Sequence, residues 1–296
     1  MLPQGSGGAI AVREAHHRSP EKLSAQCSDP LAKRLNMAAT GTDALLQVVS
    51  VSARFGGVLA LNDVSFSVGR GEYVGLIGPN GAGKTTVLNI ISRLYVPSEG
   101  SIAFEGEDLI MRPAHCVIDL GIARTFQNLA LCPGMSVRRN VMLGGYHRQK
   151  RGLLEEWLQL PGARRAAASL AAQADRVIEL VGLSDDAETI TGSMSHGSKR
   201  KVELARALCA QPKLLMLDEP ASGLTDDETL ELVALLNDLR RTLDLTVIVI
   251  EHHLDVVLAL SDRLIVLDMG RVIADGRPEQ VTNEPAVLEA YIGTAR

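Results

Sequence analysis

The sequence predicts an α/β protein in which a parallel sheet carries helices on both faces. An antiparallel β layer and a helix-rich insert are attached to it. Three observations predict this class. Gly78-Pro79-Asn80-Gly81-Ala82-Gly83-Lys84-Thr85-Thr86 fits the phosphate-loop pattern G-x-x-x-x-G-K-[ST], between an apolar strand-length run at Tyr73–Ile77 and a helical pattern at Val87–Leu94. Leu214–Leu217 is a second buried-strand run and ends in Asp218-Glu219-Pro220. Strand-length and helical patterns then alternate, as a parallel sheet with crossover helices requires.

Size and composition narrow the function. The 296 residues can bury a sizeable core. A net charge of −5 argues against a broad nucleic-acid surface, and an aromatic content of 3% against base stacking. No apolar run approaches the roughly 18 residues that span a bilayer, so any membrane role must come through partners. The four cysteines, Cys27, Cys116, Cys132 and Cys209, lack a Cys-x-x-Cys pair and fit reduced thiols better than disulfides or zinc ligands.

Taken in order, residues 1–42 are rich in Gly, Ser, Pro and mixed charge without periodicity and read as a disordered extension. Leu45–Ala53 and Ala60–Val68 flank a turn at Gly56-Gly57 and, with Ser101–Phe104, form the antiparallel layer. Leu109–Leu120 reads as a short helix, and Gly121–Asn128 as a strand running into a loop. Residues 136–185 carry long helical patterns. Within them the basic run His147–Arg151, followed by Leu153, Leu154, Trp157 and Leu158, suits either an amphipathic contact helix or a solvated charged face. Ser195–Ala210 is a helix with Ser195 as N-cap and Val202, Ala205, Leu208 and Cys209 inward. Thr225–Arg241 is a helix opened by the capping box Thr225-x-x-Glu228. Thr246–Ile250 is a buried strand, Leu264–Leu267 and Arg271–Asp275 a hairpin, and 278–292 helical.

The chemistry follows from where these elements end. Glycines let the loop at 78–86 curl around a triphosphate, and the next helix aims its positive end at the same anion. Lys84 reaches the β- and γ-phosphates, and the Thr85 hydroxyl ligates Mg²⁺. Asp218, at a strand C-terminus, holds the Mg²⁺ shell through water, and Glu219 polarises the attacking water. Phe55 is placed to stack on adenine, Gln127 to sense Mg²⁺ or the water, and His252 to donate to the γ-phosphate. Each of these three, taken alone, reads better as an ordinary surface or core residue. Ser195-x-Gly197 at a helix start is a second anion site. A chain that already owns a phosphate loop needs such a site only to complete the nucleotide of another copy, which implies a head-to-tail dimer holding two ATP molecules.

The ordered set of phosphate loop, Gln127, Ser195-x-Gly197, Leu-Met-Leu-Asp-Glu-Pro, Ser222-Gly223-Leu224 and His252 resembles the nucleotide-binding subunit of ABC transporters, over about residues 44–293. The resemblance implies a P-loop NTPase core at 43–293 with a helical signature subdomain at about 130–212. It implies Phe55 against adenine, Gln127 in the loop that meets the membrane partner, and Ser222–Thr225 across the dimer interface. Arg54–Leu61, Gly121–Asn128, Asn140–Gly144, His147–Arg151 and Glu289–Gly293 are more narrowly similar to bacterial uptake ATPases for branched-chain (hydrophobic) amino acids. That likeness implies an ATPase dimer at the cytoplasmic face of the inner membrane. Its partners would be two transmembrane permeases and, indirectly, a periplasmic substrate-binding protein, with no nucleic acid. Importers of amides or urea, lipid or lipopolysaccharide exporters, and soluble ATPases of this class share the catalytic motifs and stay open. The signature departs from the usual Leu-Ser-Gly-Gly-Gln at Met194, His196 and Ser198 but keeps Ser195 and Gly197, which implies retained activity.

Overall fold

The computed structural model describes residues 44–126, 129–149 and 161–292. The extension expected to be disordered, Gln127, and the Lys150–Leu158 part of the basic amphipathic run lie outside these residues.

Strands β1 (Ala44–Phe55) and β2 (Val58–Gly69) form a hairpin, and β3 (Tyr73–Ile77) runs through the phosphate loop into α1 (Lys84–Ile91). Strands β4 (Glu99–Phe104) and β5 (Glu107–Asp108) follow, then β6 (Ile122–Arg124), α2 (Val137–Gly145), α3 (Pro161–Leu180) and α4 (His196–Cys209). The remainder is β7 (Leu214–Asp218), α5 (Asp226–Thr242), β8 (Thr246–Ile250), α6 (Leu254–Leu260), β9 (Arg263–Asp268), β10 (Arg271–Gly276), α7 (Pro278–Val281) and α8 (Pro285–Ile292).

Two sheets result. The antiparallel one has the order β2-β1-β4-β5, and the other β10-β9-β3-β8-β7-β6, parallel except for its β10 edge. Along β2, buried Val64, Phe66 and Val68 alternate with exposed residues, the period-2 signature of a sheet with one wet face. Every residue of β3, β7 and β8 is buried, as strands covered on both faces must be. Register then builds the site. Ile250 pairs with both Leu76 and Asp218, so the ends of β3, β7 and β8 emerge side by side beneath the phosphate loop.

Helices α2, α3 and α4 share one cluster of buried apolar side chains, including Val141, Ala174, Val177, Val202 and Leu208. The predicted caps form. Ser195 Oγ accepts the Ser198 N–H at 3.1 Å. Thr225 Oγ1 accepts the Glu228 N–H at 3.3 Å while the Glu228 carboxylate accepts the Thr225 N–H at 3.0 Å.

Two expectations are corrected. Leu109–Leu120 is not a helix but two 3₁₀ turns, Ala114–Cys116 and Ile118–Leu120; Pro113, extended at ψ 147°, and Gly121, left-handed at φ 97°, bracket a span too short for more. The helical tail is split, because Pro285 cannot continue α7 and opens α8 instead. Cys132 and Cys209 are free thiols. No helix among the described residues is long and apolar enough to cross a membrane.

Candidate active site

The phosphate loop is braced from two sides. Gly78 has φ 147°, and a Cβ there would lie 2.0 Å from Leu267 O, so only glycine fits. Gly270 N–H donates to Ala82 O at 3.0 Å and Asn62 N–H to Gly270 O at 2.8 Å, which ties β2 and the β9–β10 turn to the loop. Gly83 caps α1 without a side-chain bond, so the positive helix end is directed into the loop. Lys84 is buried and its Nζ donates to Gly78 O at 2.7 Å and Pro79 O at 3.0 Å. Burial pulls its ammonium below the usual lysine range, and the carboxylates of Glu219 and Asp218 oppose that shift. Asn80, Gly81 and Thr85 are exposed, and Pro79, Gly83 and Thr86 half-buried; Ala82 is buried.

The acids at the end of β7 have unlike environments. Asp218 is buried against Arg124, with Nη2 to Oδ2 at 2.6 Å. The same guanidinium donates to Asn89 Oδ1 on α1 at 2.8 Å and lies 5.2 Å from the Phe126 ring centroid. Glu219 is held at φ 51°, a conformation that costs a non-glycine residue about 1–3 kcal/mol. Its N–H is anchored to Ile250 O at 2.9 Å. Its Oε1 is 2.8 Å from His252 Nε2, a contact that requires the proton on Nε2 when Glu219 is ionised. Behind His252, buried Glu251 accepts the N–H groups of Ala221 at 2.6 Å and His252 at 3.1 Å. Burial pushes the Glu251 carboxyl above the usual carboxylate range. Lys84, Asp218, Glu219 and His252 thus form one cluster. The oxygen donors there, the Thr85 hydroxyl and the Asp218 carboxylate, are of the hard type that suits Mg²⁺, and the Arg124 partner of Asp218 favours an outer-shell role.

Phe55 is 39% exposed at the end of β1, its ring 4.8 Å from that of Tyr95 at an interplanar angle of 58°. It stands on the hairpin that β2 ties to the phosphate loop. Ser195 and Gly197 belong to a different neighbourhood. Ser195 is exposed, and a Cβ on Gly197 would come within 2.5 Å of Glu228 Oε1. His196 Nε2 lies 3.3 Å from Ser222 O. The start of α4 thus adjoins 222–228, the segment expected at a dimer interface. The N–H of Thr225 holds the Glu228 carboxyl below the usual range, aided by the Thr225 hydroxyl, His196 and the Gly197 N–H.

Sequence reasoning missed Arg124, Glu251, and the buried pair Arg200 and Glu203. A charged residue inside an apolar pattern, as Glu203 is between Val202 and Leu204, was the available signal.

A braced phosphate loop, two acids at one strand end and a histidine at the next define a nucleotide-hydrolysing cassette. Residues 61–222 match the family model described as ABC transporter, and 271–296 that described as branched-chain amino acid ATP-binding cassette transporter. The chain belongs to the ABC transporter family, as one of its ATP-hydrolysing subunits. It is 39% identical over 251 residues to the high-affinity branched-chain amino acid transport ATP-binding protein LivG of Escherichia coli, covering 85% of this chain and 98% of that one. It is 38% identical, at the same coverage, to BraF of Pseudomonas aeruginosa, of the same description. Among solved structures it is similar to a nucleotide-free ATP-binding cassette from an ABC transporter, at TM-score 0.73 and 30% identity, covering 84% and 99% of the two chains. The ADP conformation of the cassette MJ1267 is similar at TM-score 0.72 and 30% identity, with the same coverage.

Proposed function

We propose that this chain is the ATPase that drives import of branched-chain, hydrophobic amino acids, working as a pair of cassettes bound to two membrane permeases at the cytoplasmic face of the inner membrane. A substrate-binding protein outside that membrane delivers the cargo. The observation that carries the catalytic part is the Glu219–His252 contact at 2.8 Å beside Asp218 and Lys84. What supports the cargo class is the likeness to LivG and BraF together with the match at 271–296.

Backbone N–H groups of 81–86 and the α1 dipole hold the phosphates of ATP, and Lys84 moves from the loop carbonyls to the β- and γ-phosphates. The Glu219 carboxylate accepts a proton from water as the water oxygen attacks the γ-phosphorus in line. The bond from that phosphorus to the bridging oxygen breaks, giving ADP and phosphate. His252 positions Glu219 and donates to a γ-phosphate oxygen. Thr85 and the Asp218 shell, with Gln127 as a further expected contact, would hold Mg²⁺, which would supply charge neutralisation on the phosphates. Phe55 stacks on adenine, and Ser195 and Gly197 of a second copy close the γ-phosphate from the far side.

Uptake of labelled leucine by cells expressing the chain or its Lys84→Ala variant at equal level tests this reading. Loss of uptake in the variant supports it. Unchanged uptake, with other leucine carriers deleted, refutes the cargo assignment and turns attention to amides or urea.

A further inference from the structure

Helix α4 carries two charged side chains inside the protein that the hydrolytic steps do not use. Arg200 is 7% exposed and Glu203 2%. They pair at 3.2 Å across one helical turn. Burying such a pair seldom adds stability, because desolvation offsets most of the attraction, so its presence asks for another reason. The partners supply one. Glu203 Oε1 accepts the Phe126 N–H and Arg200 Nη1 donates to Phe126 O, both at 3.3 Å. The pair therefore grips both polar groups of the residue immediately before Gln127. Arg200 Nη2 also donates to Ser222 O at 3.4 Å, in the loop that begins three residues earlier with Glu219. Arg206 stands 3.9 Å from Glu203 on the outer side and adds a second cation. Thr125, the preceding residue, accepts the Asp218 N–H at 3.4 Å.

We propose that Arg200 and Glu203 are positioning residues for hydrolysis. They lock Phe126, the residue before Gln127, and the 219–222 loop to the helix whose N-terminus is Ser195, so that all three move as one when that N-terminus meets the γ-phosphate of a second copy. This rests on the ATPase reading above. A guanidinium and a carboxylate are suited to the task because one planar fork reaches two carbonyls and the acid while the acid takes an N–H. An apolar pair fills the same space and grips no backbone.

The test is Mg·ATP hydrolysis by the full chain, with ATP affinity and thermal unfolding measured on the same samples. The double variant Arg200→Met, Glu203→Leu removes both charges together and so leaves no unpaired buried ion. Its kcat is expected to fall about tenfold or more, with ATP affinity within about twofold of the parent and an unfolding midpoint within a few degrees. Arg200→Lys keeps the charge and can pair with Glu203 but cannot span both carbonyls; it is expected to lower kcat in the same way, and it alone decides if the double variant does not fold. Unchanged kcat in the deciding variant overturns the proposal. So does a loss of ATP affinity in step with kcat, which marks the pair as structural. If the parent chain itself does not hydrolyse ATP, the ATPase reading fails before the pair is tested.

Discussion

The cluster at the end of β7 and the start of α4 make opposite use of similar groups. In the first, Lys84 and Asp218 are buried, Glu219 is strained, and every charge has a partner of opposite sign or a backbone anchor. Packing and sheet register hold that arrangement before any substrate arrives. In the second, Ser195 is exposed at the head of α4 and its neighbour His196 reaches the adjoining segment at Ser222 O. Under the proposed function, the difference means that the chain carries both halves of a nucleotide site, and that two copies are needed to join them.

The largest expected effect falls on the buried centre. Glu219→Gln keeps the size and removes the base, so kcat is expected to drop about 10²–10⁴-fold in a phosphate-release assay while ATP still binds. Turnover at the parent rate would remove Glu219 from its role.

Arg124→Met sharpens the contrast between a buried charge and an exposed one. It removes the ion-pair partner of the buried Asp218 carboxylate, and the expected loss is about 3–5 kcal/mol of stability in urea unfolding. An ordinary surface pair such as Arg241–Asp238 is worth at most about 1 kcal/mol by comparison.

The smallest effect is a pH dependence at Glu251. Its folded-state pKa is raised, so its contribution to stability is intact below the ordinary carboxylate range and is lost as pH rises through the raised value. Glu251→Gln lacks that loss, so its stability relative to the parent should increase as pH rises above the ordinary carboxylate range. Parallel stability curves above that range would contradict the burial argument.

Legibility in the sequence followed the distance over which information acts. The phosphate loop, the Thr225 capping box and the Ser195 cap are local patterns, and each was readable because its partners lie within a few residues. The buried strands were readable because continuous apolar runs have one reason to exist in a parallel sheet. Arg124–Asp218 spans 94 residues and Glu203–Phe126 spans 77, so topology brings these pairs together and no local pattern announces them. The 3₁₀ turns at 114–120 failed for a different reason. A helix over Leu109–Leu120 has to pass Pro113, and the backbone instead breaks there and again at Gly121.

The most direct measurement mixes two inactive chains, Lys84→Ala and Ser195→Arg, and follows ATP hydrolysis against each chain alone. In a mixed pair, the intact phosphate loop of one copy faces the intact Ser195 turn of the other, so one complete site forms. The account predicts hydrolysis well above the sum of the separate rates. Activity no greater than that sum, with mixed pairs demonstrated, would mean that each chain uses its own Ser195 or none, and the two-half-site account would be wrong.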